Sequence, residues 1–337
     1  MKRQRIVLPV AVQPAHSNVG GLFIGHHNTG FGTYSDCTMT WNTVTTEPNA
    51  LGESPFWHPQ EKRLYWVDVP GKLLQRMDVA SGAVERWAMP SEPGCIAPAT
   101  GGGLVVALRD GIYRAPVWGG AMALLAAAPY DPATTRFNDG KCDPLGRFWA
   151  STIYEPRDAR KAALYCLDGS ALKMMAGNAI TGNGLAWSPD AKTLYWADTP
   201  HHIVHAWDWN AEANILSEYR EYLHMAPKPT GWQPGMSGYG GRPDGAAVDV
   251  QGNYYSAQFE GQRLCKFSPD GDLLNATLLP VRCPTMPCFG GDDLQTLYLT
   301  SGRHGRPDAE LEAMPASGCV LSMRVEVPGL PVNFFRG

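Results

Sequence analysis

The chain has 337 residues, 44% of them hydrophobic and 18% charged, with 28 basic residues against 32 acidic and a formal net charge of −4. That balance excludes a disordered chain, and the lack of any basic run beyond the first five positions excludes nucleic acid as a partner. Thirty-seven glycines, 28 prolines and 11 tryptophans favour many short strands joined by tight turns over helices.

The opening MKRQRIVLPVAVQPA sets a positive segment before an apolar one. Its apolar stretch, Ile6 to Val12 with Pro9 inside, is too short to span a membrane and is broken for a signal peptide. Met39 stands just before the first β-like segment, so residues 1–38 are expected to be an irregular extension upstream of the native start. Residues 39–337 are expected to form one domain. The eight cysteines are scattered without a CxxC pair and read as free thiols, which places the protein in the reducing cytoplasm.

Short strand triplets then recur: Leu64-Tyr65-Trp66, Leu104-Val105-Val106, Arg147-Phe148-Trp149, Leu194-Tyr195-Trp196, Asn253-Tyr254-Tyr255 and Leu297-Tyr298-Leu299. Their central residues are spaced by 40, 43, 47, 59 and 44 positions. Six units with a period in the low forties predict an all-β fold, a six-bladed β-propeller with four-stranded blades. The long interval contains His224 to Arg242, a Pro/Gly-rich stretch that reads as a loop inserted just before Asp244 and overhanging the channel mouth. Residues 39–50 are expected to supply an outer strand that completes the last blade and removes a sheet edge. Trp57, Trp66, Trp187 and Trp196 have β spacing and read as core.

If each unit begins with its innermost strand, residues just before that strand gather at one mouth of the central channel. Glu53 and Asn183 lie twelve positions before their central aromatic residue. Asn138 and Asp244, in units whose turn is two residues shorter, lie ten before theirs. The second and sixth units offer only Pro93 or Cys95 and Met286 or Cys288. Turn formation explains Asn183-Gly184 and Asp244-Gly245 taken singly, but it explains neither Glu53 nor the shared phase of all four. Hard oxygen donors of this kind suit one divalent metal ion, calcium, magnesium or manganese, with zinc or iron(II) bound less selectively. His201 and His202 read as turn residues, Lys141 as a structural lysine, and Asp68 and Asp198 as hydrogen-bond acceptors between blades.

At these residues the chain resembles the family of senescence marker protein, gluconolactonase and luciferin-regenerating enzyme. The matching stretches are LGESPFWHP, LYWVDV, RFNDGKCDPLGRFWAST, GNGLAWSPDAKTLYWADT, RPDGAAVDVQGNYY and PCFGGDDLQTLYLTS, from Leu51 to about Ser301. The resemblance implies a metal held by Glu53, Asn183 and Asp244, with substrate hydroxyls bound by Arg136 and Asn138. It also implies an acidic substrate contact for which Glu155, followed by Pro156, is the nearest match. The family's usual glycine after the first Glu is Ser54 here. The implied activity is metal-dependent hydrolysis of the ring ester of a sugar lactone, with Asp244 orienting or deprotonating the attacking water. An organophosphate esterase on the same metal site and a non-catalytic binding propeller are the alternatives. Arg136 and Asn138, as hydroxyl-binding groups, favour the sugar.

Overall fold

The central residue of each triplet falls on the second strand of a four-stranded antiparallel sheet, and six such sheets make a six-bladed β-propeller. The computed structural model describes residues 41–337; the expected extension over residues 1–38 lies outside the described residues. Blades 1 to 5 are built in chain order from strands beginning at Gly52, Pro93, Thr135, Gly182 and Arg242. Blade 6 combines Cys283–Gly290, Thr296–Gly302 and Leu321–Arg324 with an outer strand from the other end of the chain, Asn42–Thr43. Asn42 pairs with Ser322 and Thr43 with Leu321, so the ring closes as the residues at 39–50 predict. Among the described residues helix is nearly absent: one short α-helix spans Asp308–Ala313, and one 3-10 turn Thr199–His201.

The core lies between neighbouring blades. Trp149 of blade 3 packs with Trp187, Trp196 and Trp209 of blade 4, and Trp57 and Trp66 of blade 1 pack with Tyr298 of blade 6. Trp66, Trp149 and Trp196 are fully buried, and truncating a buried tryptophan costs roughly 3–5 kcal/mol. The seven described cysteines are unpaired. No described helix is long and apolar enough to cross a membrane.

Asp68 and Asp198 end the second strands of blades 1 and 4, and both accept backbone N–H bonds from the segment entering their own blade. Asp68 takes Ala50 and Leu51 at 3.0 Å, and Asp198 takes Ile180 at 3.2 Å and Thr181 at 3.4 Å. These bonds fasten the connections from blade to blade. Blades 3 and 5 use Asp143 and Asp249 instead, which hold the short turn after the innermost strand by accepting backbone N–H groups.

All six innermost strands carry a one-residue register shift against the second strand, at Pro93/Cys95, Glu53/Phe56, Phe137/Gly140, Asn183/Ala186, Pro243/Ala246 and Pro284/Pro287. A bulge of this kind re-aims the side chains beside it. At the opposite end of the channel the C-terminal tail crosses from blade to blade. Leu330 N–H donates to Val248 O, Asn333 Nδ2 to Cys142 O, and Phe335 N–H to Pro98 O. Beneath it lies a cavity of ≈ 290 Å3 lined by Trp57, Trp187, Met286, Phe289, Leu330 and Val332 among others.

Candidate functional site

The bulges bring the predicted residues to one end of the channel. Glu53 and Asn183 are the last paired residues before their bulges, whereas Asn138 and Asp244 are the first residues inside theirs. Counting along the chain made the four equivalent; in register they differ by one position, because a bulge is a backbone event that spacing does not reveal.

A directional chain of hydrogen bonds joins three blades. Arg136 Nη1 donates to Asn138 Oδ1 at 3.0 Å, and Asn138 Nδ2 donates to Asn183 Oδ1 at 2.8 Å and to Gly182 O at 3.0 Å. Asn183 Nδ2 donates to Thr199 Oγ1 at 2.8 Å, whose hydroxyl donates to Pro243 O at 2.7 Å, one residue before Asp244. A guanidinium only donates and a carbonyl only accepts, so the two ends fix both amide orientations. Asn183 Oδ1 is thereby held in place with one lone pair unspent.

Three carboxylates share this end. Desolvation in the channel, then the charges of Asp244 and Asp139, push the Glu53 carboxyl well above the usual carboxylate range, against the Ser54 N–H and Arg136. Desolvation, then Asp139, does the same to Asp244, with Arg242 opposing. Asp139 is also raised by desolvation, although Lys141 and the N–H groups of Leu185, Gly140 and Gly184 oppose it. Its Oδ2 accepts from Leu185 N–H at 3.0 Å. Its Oδ1 is buried with no hydrogen-bond partner among the described residues. Like charges crowded in a low dielectric raise one another's pKa, and a cation relieves all of them at once.

Among the described residues no three His, Cys, Asp or Glu side chains form a metal-binding group. A cation here therefore depends on an amide oxygen, which Asn183 presents, beside Glu53 and Asp244. This all-oxygen set fits a hard divalent ion.

Glu155 does not face the channel as a free acid. Arg109 grips both its oxygens at 2.9 and 3.1 Å, and Arg136 Nε lies 3.5 Å away. The Arg109 hydrogen bond holds its carboxyl below the usual range, against desolvation. The side chain thus fixes the Arg136 guanidinium rather than offering a bare carboxylate to a ligand. Lys141 donates to Ala246 O and is structural. His201 pairs with Asp198 at 2.7 Å, and His202 with the Tyr239 hydroxyl at 2.7 Å; neither joins the carboxylates. The inserted loop is pinned at this same end through Met225 N–H to His202 O at 2.8 Å and the buried Tyr239.

Two contributors escape sequence reasoning. Asp139 sits in an Asp-Gly dipeptide and looks like a turn former, and nothing in one sequence separates it from one. Thr199 follows the strand-ending Asp198, where position alone gives no sign of a link between Asn183 and the Asp244 strand.

Several known proteins share this arrangement of chain. A 6-deoxy-6-sulfogluconolactonase of Pseudomonas putida is 42% identical over 301 residues, covering 88% of this chain and 99% of that protein. Regucalcin of Danio rerio is 32% identical, covering 87% and 97%. Among solved structures, a luciferin-regenerating enzyme superposes with a TM-score of 0.79 at 26% identity over 89% of this chain and all of that one. A calcium-binding regucalcin from Agrobacterium tumefaciens superposes with a TM-score of 0.82 over 89% and 98%, its 22% identity speaking to the fold alone. Residues 51–303 match the SMP-30/Gluconolactonase/LRE-like region, and the chain belongs to that family.

Proposed function

We propose that the protein hydrolyses the ring ester of a sugar lactone at a divalent metal held by Glu53, Asn183 and Asp244. One observation carries the reading: Glu53, Asp139 and Asp244 crowd one end of the channel beside an amide oxygen fixed by its neighbours, a charge imbalance that a cation offsets. The relative named 6-deoxy-6-sulfogluconolactonase supports the substrate class.

When bound, the metal supplies Lewis acidity to the ester carbonyl. Asp244, buried beside Glu53, orients the attacking water and accepts its proton. The remaining guanidinium donors of Arg136 reach for ring hydroxyls and fix the ester for attack, while Glu155 and Arg109 hold Arg136 in line. Asn138 contributes by keeping Asn183 turned inward.

The test is a pH-indicator assay with a panel of aldonolactones on chelator-stripped protein, restoring calcium, zinc, magnesium, manganese or iron(II) one at a time. Acid release that needs both a lactone and a metal supports the proposal. Equal acid release from stripped protein sinks the metal requirement, and no release from any lactone leaves the binding-propeller reading.

A further inference from the structure

Of the six bulged strands, those of blades 1 and 4 turn left-handed directly after a site residue: Ser54 at φ 49° follows Glu53, and Gly184 at φ 59° follows Asn183. Blade 4 meets this with glycine, which adopts such a backbone freely. A Cβ there would also run into the Tyr254 hydroxyl, which donates to Gly184 O at 2.7 Å. Blade 1 sets a serine in the equivalent place. Its Cβ makes the conformation costly. Pro55, next in the chain, adds to the cost, because a residue before proline is biased towards extended backbone.

Strain of this kind persists only where the surroundings over-determine it, and at Ser54 they do. Its hydroxyl accepts from Ile96 N–H at 2.9 Å and is placed to donate back to Ile96 O at 3.3 Å. Ile96 lies on the innermost strand of blade 2, Pro93–Pro98, which has a partner strand on one side only. Ser54 and Ile96 are each 3% exposed, so neither can turn to water instead. Blade 2 sends no polar side chain to the site, but through this pair its backbone fixes the residue next to Glu53.

The backbone of Ser54 works on the carboxyl beside it. Burial, then Asp244 and Asp139, raise Glu53, and the Ser54 N–H, ahead of Arg136, draws it back. Asn183 owes its direction to Asn138 and Thr199; Glu53 is served by its own chain neighbour. We propose that Ser54 is a positioning residue of the metal site: by locking the bulge of blade 1 to blade 2 it aims the Glu53 carboxylate, so that cation affinity depends on a hydroxyl spent on another blade. This rests on the metal-lactonase reading and deepens it.

The test titrates chelator-stripped wild type, Ser54→Ala and Ser54→Gly by calorimetry with calcium, zinc, magnesium, manganese and iron(II) in turn, well below unfolding, and reads the Tm of each metal-free protein. Ser54→Ala keeps the costly backbone and leaves Ile96 N–H buried without a partner, so its Tm falls. Ser54→Gly relieves the backbone, so its Tm lies above that of Ser54→Ala. The metal dissociation constant nevertheless rises about tenfold in both. A role confined to the fold would move Tm and leave the dissociation constant of Ser54→Gly at the wild-type value; that result overturns the positioning role and leaves lactone hydrolysis standing. If Ser54→Ala does not fold, Ser54→Gly decides alone. A wild type that takes up none of these ions overturns the metal reading, and the positioning role with it.

Discussion

Blades 2 and 6 share the bulged innermost strand of the other four, yet they bring no polar side chain to the site. In blade 2 the bulge centres on Gly94, where a Cβ would run into the Phe137 carbonyl. In blade 6 it holds Thr285, whose hydroxyl is consumed by Gly52 O and Thr300, and Met286, which packs on Gly245. Blades 1, 3, 4 and 5 instead present Glu53, Asn138 with Asp139, Asn183, and Asp244. The repeated backbone supplies six bulged platforms, and side-chain choice at the bulge decides which become chemistry and which become space.

The comparison can be broken from either side. Asp244→Asn removes the proposed base and a metal charge while keeping the shape, and kcat should fall by about a thousandfold or more with an unchanged circular dichroism spectrum. Asn138→Ala leaves Asn183 free to turn. Metal affinity measured by titration calorimetry should then drop about ten- to hundredfold, the scale expected when a ligand's supporting partner is lost.

On the side without polar groups, Gly94→Ala forces the Phe137 backbone to move. Overpacking of this kind costs about 1–3 kcal/mol, so scanning calorimetry should show Tm lower by about 2–10 °C; an unchanged Tm would mean that blade 2 is not held by that close approach.

The smallest effect concerns Glu260. Burial raises its pKa, but the hydrogen bond from Lys228 and the charges of Arg242, Lys228 and Arg306 outweigh it and leave the carboxyl below its ordinary value. A depressed folded-state pKa contributes stability that is present above the unfolded value of about 4.3 and is lost as pH falls through the folded one. Wild-type Tm should therefore exceed that of Glu260→Gln at neutral pH, and the gap should close as pH drops below about 4.

The ring of six units was legible because every second strand is a buried triplet between turn residues, and its closure because a strand-like segment precedes the first unit. The outermost strands were not, since Val84–Ala88, Ala123–Ala127 and Leu273–Leu278 hold no buried residue and carry little alternation. Glu53, Asn183 and Asp244 stood out by spacing, and the structure brings Glu53 and Asp244 within each other's field. Asp139 did not stand out, because Asp-Gly belongs to turns as readily as to sites. Glu155 is named only as the nearest match to the family's acidic contact, and its engagement by Arg109, 46 positions away, is a tertiary fact.

The tail from Leu330 to Phe335 gives the channel a floor. Phe335 is 2% exposed, and its backbone is bound on both sides by blade 2, through Pro98 O and Thr100 N–H. A molecule held at Glu53 and Asp244 would then have this tail across the far end of the channel and the loops that carry Lys228 and Tyr239 at the near end. Arrival and departure are thus governed by the same few loops, so that a change at Lys228 or Tyr239 made to admit a bulkier sugar also alters how fast the acid escapes. Selection for a new substrate on this scaffold acts on both rates together.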